Sequence, residues 1–159
     1  VPFSIPDPNR LPGIIIDETE AQLQGDWQYS THTPPYVGRG YLHDQKSGKG
    51  LKSVTYPIQV PRAGWYEVRL SHDYNIRRAT NTWVRIKHAR GTFETQINQQ
   101  QIPEHNRLFR TIGTFSFLHN IRYQLVISNE GTEGKYVIAD AIQLIRLHSG
   151  PPGREAWPR

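Results

Sequence analysis

Three places in the sequence combine residue types that could do chemistry. In "YVGRGYLHDQKSGKG", residues 36–50, His43 adjoins Asp44, and Lys49 lies between Gly48 and Gly50. A histidine beside an aspartate could serve as a base and its orienting group. Neighbours on an extended chain point to opposite sides, however, so an Asp44 that accepts amide hydrogens of the following "QKSGKG" turn fits the pattern better. In "YVIADAIQLI", Asp140 places a carboxylate inside an apolar run, where it needs hydrogen bonds, an Arg or Lys partner such as Arg78, or a cation. The third place is a set of flat aromatic and basic side chains: Trp83, Arg85 and Lys87 on one strand face, with Trp65 and Arg69 beside them if the two strands are neighbours. Such a face could stack on a sugar ring while the cations meet carboxylates.

Other chemistries lack their geometry. The glycines of "SGKGLKS" are followed by a strand rather than a helix, so no dipole and amide cradle for phosphate is expected. The seven histidines are scattered, without HExxH or paired ligand spacing, and no loop has calcium-ligand spacing. With no cysteine, thiolate metal sites and cysteine nucleophiles are excluded. We therefore expect no metal, no cofactor and no catalytic site.

The elements that must position these residues have period two. "GIIIDE", "WQYST", "LKSVTYPIQV", "GWYEVRLSH", "NTWVRIKHA", "GTFETQINQ", "RLFRTIGTFSF", "IRYQLVISN" and "YVIADAIQLIRL" are of strand length, rich in β-branched and aromatic residues, and bounded by turn formers. Pro61 to Gly64 form a connection of hairpin length, "HARG" turns the chain after Ile86 and Lys87, and Glu18 to Leu23 could pass for a helical turn. In this phase Tyr66, Val68, Leu70, Val84 and Ile86 face a core, and His88 follows them inward. The fold predicted is an all-β antiparallel jelly-roll sandwich of about nine or ten strands. The domain spans residues 13–147, between a proline-rich extended linker or edge strand at 1–12 and a proline-rich tail at 148–159.

The 159 residues can bury roughly 70% of the unfolded chain's surface, enough for one unstapled domain. No apolar run approaches the ~20 residues of a membrane helix, and no membrane insertion is expected. A formal charge of +5 favours acidic partners. No block of five or more basic residues appears, which argues against nucleic acid. The absence of methionine, including at position 1, suggests a domain detached from a larger protein.

The segments "YVGRGYLHDQKSGKGLKSVTYP", "RATNTWVRIKHARGTFETQINQQ" and "ISNEGTEGKYVIADAIQLI", in that order, resemble the golvesin and xanthan-lyase carbohydrate-binding-like domain over residues 13–147. Tyr41, His43, Asp44, Gly48, Lys49, Gly50, Arg78, Ala79, Asn81, His88, Asn98, Gln99, Ala139 and Asp140 fall on its recurrent pattern. The resemblance implies a non-catalytic, extracellular binding or structural module of a bacterial secreted protein. The many arginines, and Trp83 where a smaller residue is usual, favour an anionic glycan. The expected ligand contacts are Tyr41, Lys49, Trp65, Arg69, Arg78, Trp83, Arg85 and Lys87, with His43, Asp44, Gly48, Gly50, Asn81 and Asp140 as structural residues. The alternative is an assembly subunit whose proline-rich ends contact neighbours through Phe3, Ile5 and Trp157.

Overall fold

The computed structural model describes residues 7–148. Phe3, Ile5 and Trp157, and most of both proline-rich ends, lie outside them. Short strands β1 (Ile14–Ile16), β2 (Gln22–Gln24), β3 (Gln28–Ser30) and β4 (Tyr41–His43) are followed by β5 (Ser53–Ile58), β6 (Gly64–Ser71), β7 (Thr82–His88) and β8 (Gly91–Ile97). Then come β9 (Phe109–Phe117), β10 (Tyr123–Ser128), β11 (Ile138–Ala139) and β12 (Ile142–Arg146).

Alternation in the longer strands produces two apolar faces, and these pack on each other as the antiparallel sandwich predicted. One sheet has the order β1-β12-β6-β9, the other β2-β5-β10-β7-β8. Val54, Tyr56, Ile58, Val84, Ile86, Leu125 and Ile127 of the second sheet meet Tyr66, Val68, Leu70, Phe115, Phe117, Ile142 and Leu144 of the first in a single core. Burial of each large apolar side chain contributes about 1.5–3 kcal/mol. A third sheet, β11-β4-β3, adjoins the sandwich. Among the described residues no helix is long and apolar enough to cross a membrane.

Three local expectations change. The connection at Pro61 is not a hairpin: β5 pairs with β2 and β10, whereas β6 pairs with β9 and β12. Buried Val60 accepts a hydrogen bond from the Asn120 amide and bridges His119, which holds the chain as it leaves the second sheet for the first. The run "YVIADAIQLIRL" is two strands, because the chain changes sheets at Asp140: Ile138 and Ala139 pair with β4, and Ile142 to Arg146 with β6. Within residues 7–12, expected as extended linker or edge strand, Pro8–Arg10 form a 3-10 turn capped by the Asp7 side chain. Leu11 packs there against the Val37, Leu108 and Phe109 cluster. "HARG" does close the β7–β8 hairpin, in which His88 faces Gly91. Glu18–Glu20 form a single 3-10 turn before β2.

Candidate functional site

The third sheet and the loop after β6 enclose a cleft of about 360 Å³ lined by Ser30, Thr33, Tyr41, His43, Asn75, Arg77, Arg78 and Tyr136, among others. Three of these, Tyr41, His43 and Arg78, were singled out from the sequence. Pairing of β4 with β3 and β11 sets Tyr41 and His43 in place. Arg78 is held by main-chain bonds on either side of it: the Tyr136 amide donates to Arg77 O at 2.9 Å, and the Ala79 amide to Tyr136 O at 2.9 Å.

Arg78 does not pair with Asp140. Its Nε and Nη2 donate to Asp73 Oδ1 and Oδ2 at 2.5 and 3.0 Å, a two-point bond that also fixes the plane of the guanidinium. That plane lies 6.0 Å from the Tyr41 ring centre and 5.7 Å from that of Tyr136. The His43 ring meets Tyr136 nearly edge-on at 5.2 Å. Burial, and then the Arg78 charge, push the His43 pKa below its ordinary value. Its Nδ1 accepts the Gln45 amide at 3.0 Å, so the neutral ring carries its proton on Nε2. The cleft thus offers aromatic faces, hydroxyls and guanidinium groups, a set suited to holding a polar ring.

Behind the cleft, Asp44 is fully buried and its carboxylate accepts four hydrogen bonds. They come from the Lys46 and Val137 amides at 3.0 and 3.1 Å, from Asn129 Nδ2 at 3.0 Å and from Lys49 Nζ at 2.5 Å. Lys49 Nζ also donates to Thr132 Oγ1 and Lys135 O. Expected as a ligand contact, Lys49 is instead spent inside the fold, with only 10% of its side chain exposed. Asn129 Oδ1 ties down the same loop by accepting the Gly50 and Lys52 amides. Gly48 and Gly50 sit at φ +62° and +83°, and a Cβ at Gly48 would lie 2.8 Å from Lys52 Cε.

Asp140 has a different setting. Its Oδ2 accepts the Val37 amide at 2.9 Å, while Oδ1 has no hydrogen-bond partner among the described residues. Asp17 and Glu18 join it, with one oxygen from each of the three carboxylates within 4.8 Å of the others. Asp17 Oδ1 and both Glu18 carboxylate oxygens are also buried without a partner among the described residues. Burial above all, with the neighbouring carboxylates, pushes Glu18 up to about 11 and raises Asp140 well above the usual range. An all-oxygen set with this many unpartnered buried oxygens fits a hard divalent cation such as calcium, whose binding would displace the protons. The sequence concealed it, because Asp17 and Glu18 lie at one end of the domain and Asp140 at the other.

The sequence profile of the golvesin C-terminal domain matches residues 14–146. The chain belongs to that family. This golvesin-type domain is 35% identical, over 147 residues, to a xanthan lyase from Bacillus sp. (strain GL1), covering 89% of the chain and 16% of that protein. It superposes on the structure of Paenibacillus xanthan lyase with a TM-score of 0.77 and 32% identity, covering 84% of this chain and 13% of that one. It therefore spans about a sixth or less of the length of these xanthan lyases. The same fold occurs in a family 35 carbohydrate binding module from Clostridium thermocellum, with TM-score 0.58 and 9% identity over 84% of this chain and 98% of that one. It occurs also in the CBM35 of Paenibacillus barcinonensis, with TM-score 0.56 and 19% identity over 85% of this chain and 100% of that one.

The remaining expected contacts of the golvesin-type domain do not form one face. Trp65 and Arg69 on β6, and Trp83, Arg85 and Lys87 on β7, point outward from different sheets of the sandwich. Arg69 pairs with Glu67, and Arg85 lies 5.2 Å from the Trp83 ring centre while pairing with Glu94 and Glu130. Lys87 is exposed. Asn81 donates to Gly131 O at 2.9 Å, and Gln99 clamps both the amide and the carbonyl of Ile138. The Asn98 side chain accepts the Gln100 amide, Ala79 and Ala139 are fully buried, and the half-buried His88 ring stacks on Phe115 at 5.0 Å. The sequence reading missed Tyr136, Arg77, Asp73 and Asn129. An aromatic residue preceding the apolar run in "GKYVIAD" was the one available signal for Tyr136.

Proposed function

We propose that this golvesin-type domain is a non-catalytic carbohydrate-binding module that holds an acidic polysaccharide in the cleft at the third sheet. The supporting observation is the joining of two tyrosine rings to a fixed guanidinium at one concave place. A pyranose ring lies against Tyr136, its hydroxyls bond to Ser30, Thr33 and Asn75, and exposed Arg77 meets a sugar carboxylate. Individual affinity is low, since sugar hydroxyls exchange hydrogen bonds with water for little net gain. The domain then acts as an accessory of a larger secreted or surface protein, where such polymers are met. The cleft's one hydroxyl–imidazole contact among the described residues, Thr33 Oγ1 with His32 Nδ1 at 3.2 Å, joins adjacent residues and has no carboxylate orienting the ring, which supports binding over catalysis. The test is affinity electrophoresis through gels of xanthan, alginate, pectin and neutral xylan with the parent, Tyr136→Ala and Trp83→Ala. Retardation by an acidic glycan that Tyr136→Ala weakens and Trp83→Ala leaves intact supports the cleft. Loss with Trp83→Ala alone would move the site to the β7 face.

A further inference from the structure

Tyr136 and Arg77 belong to two hollows at once. On the far side from the cleft they line a second one of about 210 Å³, with Lys46, Gly134 and Lys135. Its lining holds three cations and no carboxylate. That is unlike the neighbouring cations Arg78 and Lys49, which each sit on a buried aspartate. The Lys135 ammonium donates to a neutral acceptor, Ile76 O, at 3.0 Å, and Lys46 Nζ stands 5.5 Å from the Tyr136 ring centre.

Lys46 is also placed at a conformational cost. Gln45 and Lys46 both take left-handed backbone angles, φ +59° and +57°, which residues with a Cβ adopt unfavourably. Asp44 Oδ1 holds that conformation by accepting the Lys46 amide, so the buried carboxylate fixes the backbone of Lys46 and leaves its ammonium uncompensated. Gly134, at φ +81°, leaves the floor open, with nothing within 4 Å of where a Cβ would stand.

Resting on the carbohydrate-binding reading above, we propose that the two hollows are successive subsites of one groove, and that Lys46 and Lys135 hold the acidic group of a second sugar next to the one that Arg77 meets in the cleft. Tyr136 is the ridge between the two rings. The domain therefore recognises the interior of a chain carrying closely spaced acidic units, and a single uronic acid fills only half of the site.

Isothermal titration at physiological salt with glucuronic acid, galacturonic acid, a tetragalacturonate and polyglutamate, on the parent, Lys46→Ala and Lys135→Ala, tests this. The tetramer should bind the parent more tightly than either monosaccharide, and each variant should lose roughly three- to tenfold of tetramer affinity, the range for one charge-assisted contact, with monosaccharide affinity unchanged. Equal affinity for monomer and tetramer, or variants that weaken both alike, overturns the second subsite while leaving the cleft. Polyglutamate binding as tight as the tetramer also overturns it, since charge alone would suffice. A parent that binds none of the sugars overturns both readings.

Discussion

Replacing Asp44 by asparagine separates a structural loop from a ligand site. The amide keeps one oxygen to accept from the Lys46 and Val137 amides, but its NH2 group faces two donors, Lys49 Nζ and Asn129 Nδ2. Lys49 is left with Thr132 Oγ1 and Lys135 O as acceptors and no counter-charge. Breaking one side of a buried ion pair costs about 3–5 kcal/mol. For a chain of this size that lowers the melting temperature by roughly 6–20 °C, at about 2–4 °C per kcal/mol. Lys49→Met strands the carboxylate instead, although three other donors still serve it, so the loss should be smaller. In the double variant, coupling of about 1–3 kcal/mol should return, because neither charge is then alone. Urea unfolding followed by tryptophan fluorescence measures all three. An Asp44→Asn protein within about 1 kcal/mol of the parent that has lost glycan binding would refute this reasoning and return Lys49 to the ligand site.

Calcium at saturating concentration should raise the melting temperature, by about 5–10 °C if it reaches a hundredfold excess over its dissociation constant. EDTA should reverse the rise and Asp140→Asn should abolish it; a parent indifferent to calcium and EDTA would show that the three carboxylates share protons only. His72 is fully buried, with Nδ1 2.6 Å from Asp73 O and Nε2 unpartnered among the described residues, and burial lowers its pKa from 6.5 to about 4. The unfolded chain takes up that proton below pH 6.5 and the folded chain does not until about pH 4, so stability is lost as the pH falls through this window. Relative to His72→Asn, the parent should lose about 3 kcal/mol across it, read as the difference between two urea-midpoint profiles, and parallel profiles would contradict the assignment. Trp83→Ala should cost under about 1 kcal/mol, since the half-exposed ring loses an Arg85 contact and no core packing; a larger loss on thermal melting would give the β7 face a packing role.

Much of the architecture was legible because alternation is local. "GWYEVRLSH" and "NTWVRIKHA" name their own buried residues, and "HARG" its own hairpin, since a strand's two faces and a tight turn depend on residues a few places apart. The ordered motifs carried the family for the same reason. What alternation leaves open is which sheet a strand joins. Trp65 and Trp83 have the same outward phase, yet only pairing across the whole chain places them on separate sheets. Likewise Asp140 announces a buried carboxylate needing a partner, but whether that partner is Arg78 or the carboxylates of Asp17 and Glu18 is decided by where the chain crosses between sheets. The cleft and the groove beyond it arise in the same way, from residues near 30, 43, 77 and 136 brought to one end by strand pairings that no short stretch of sequence contains.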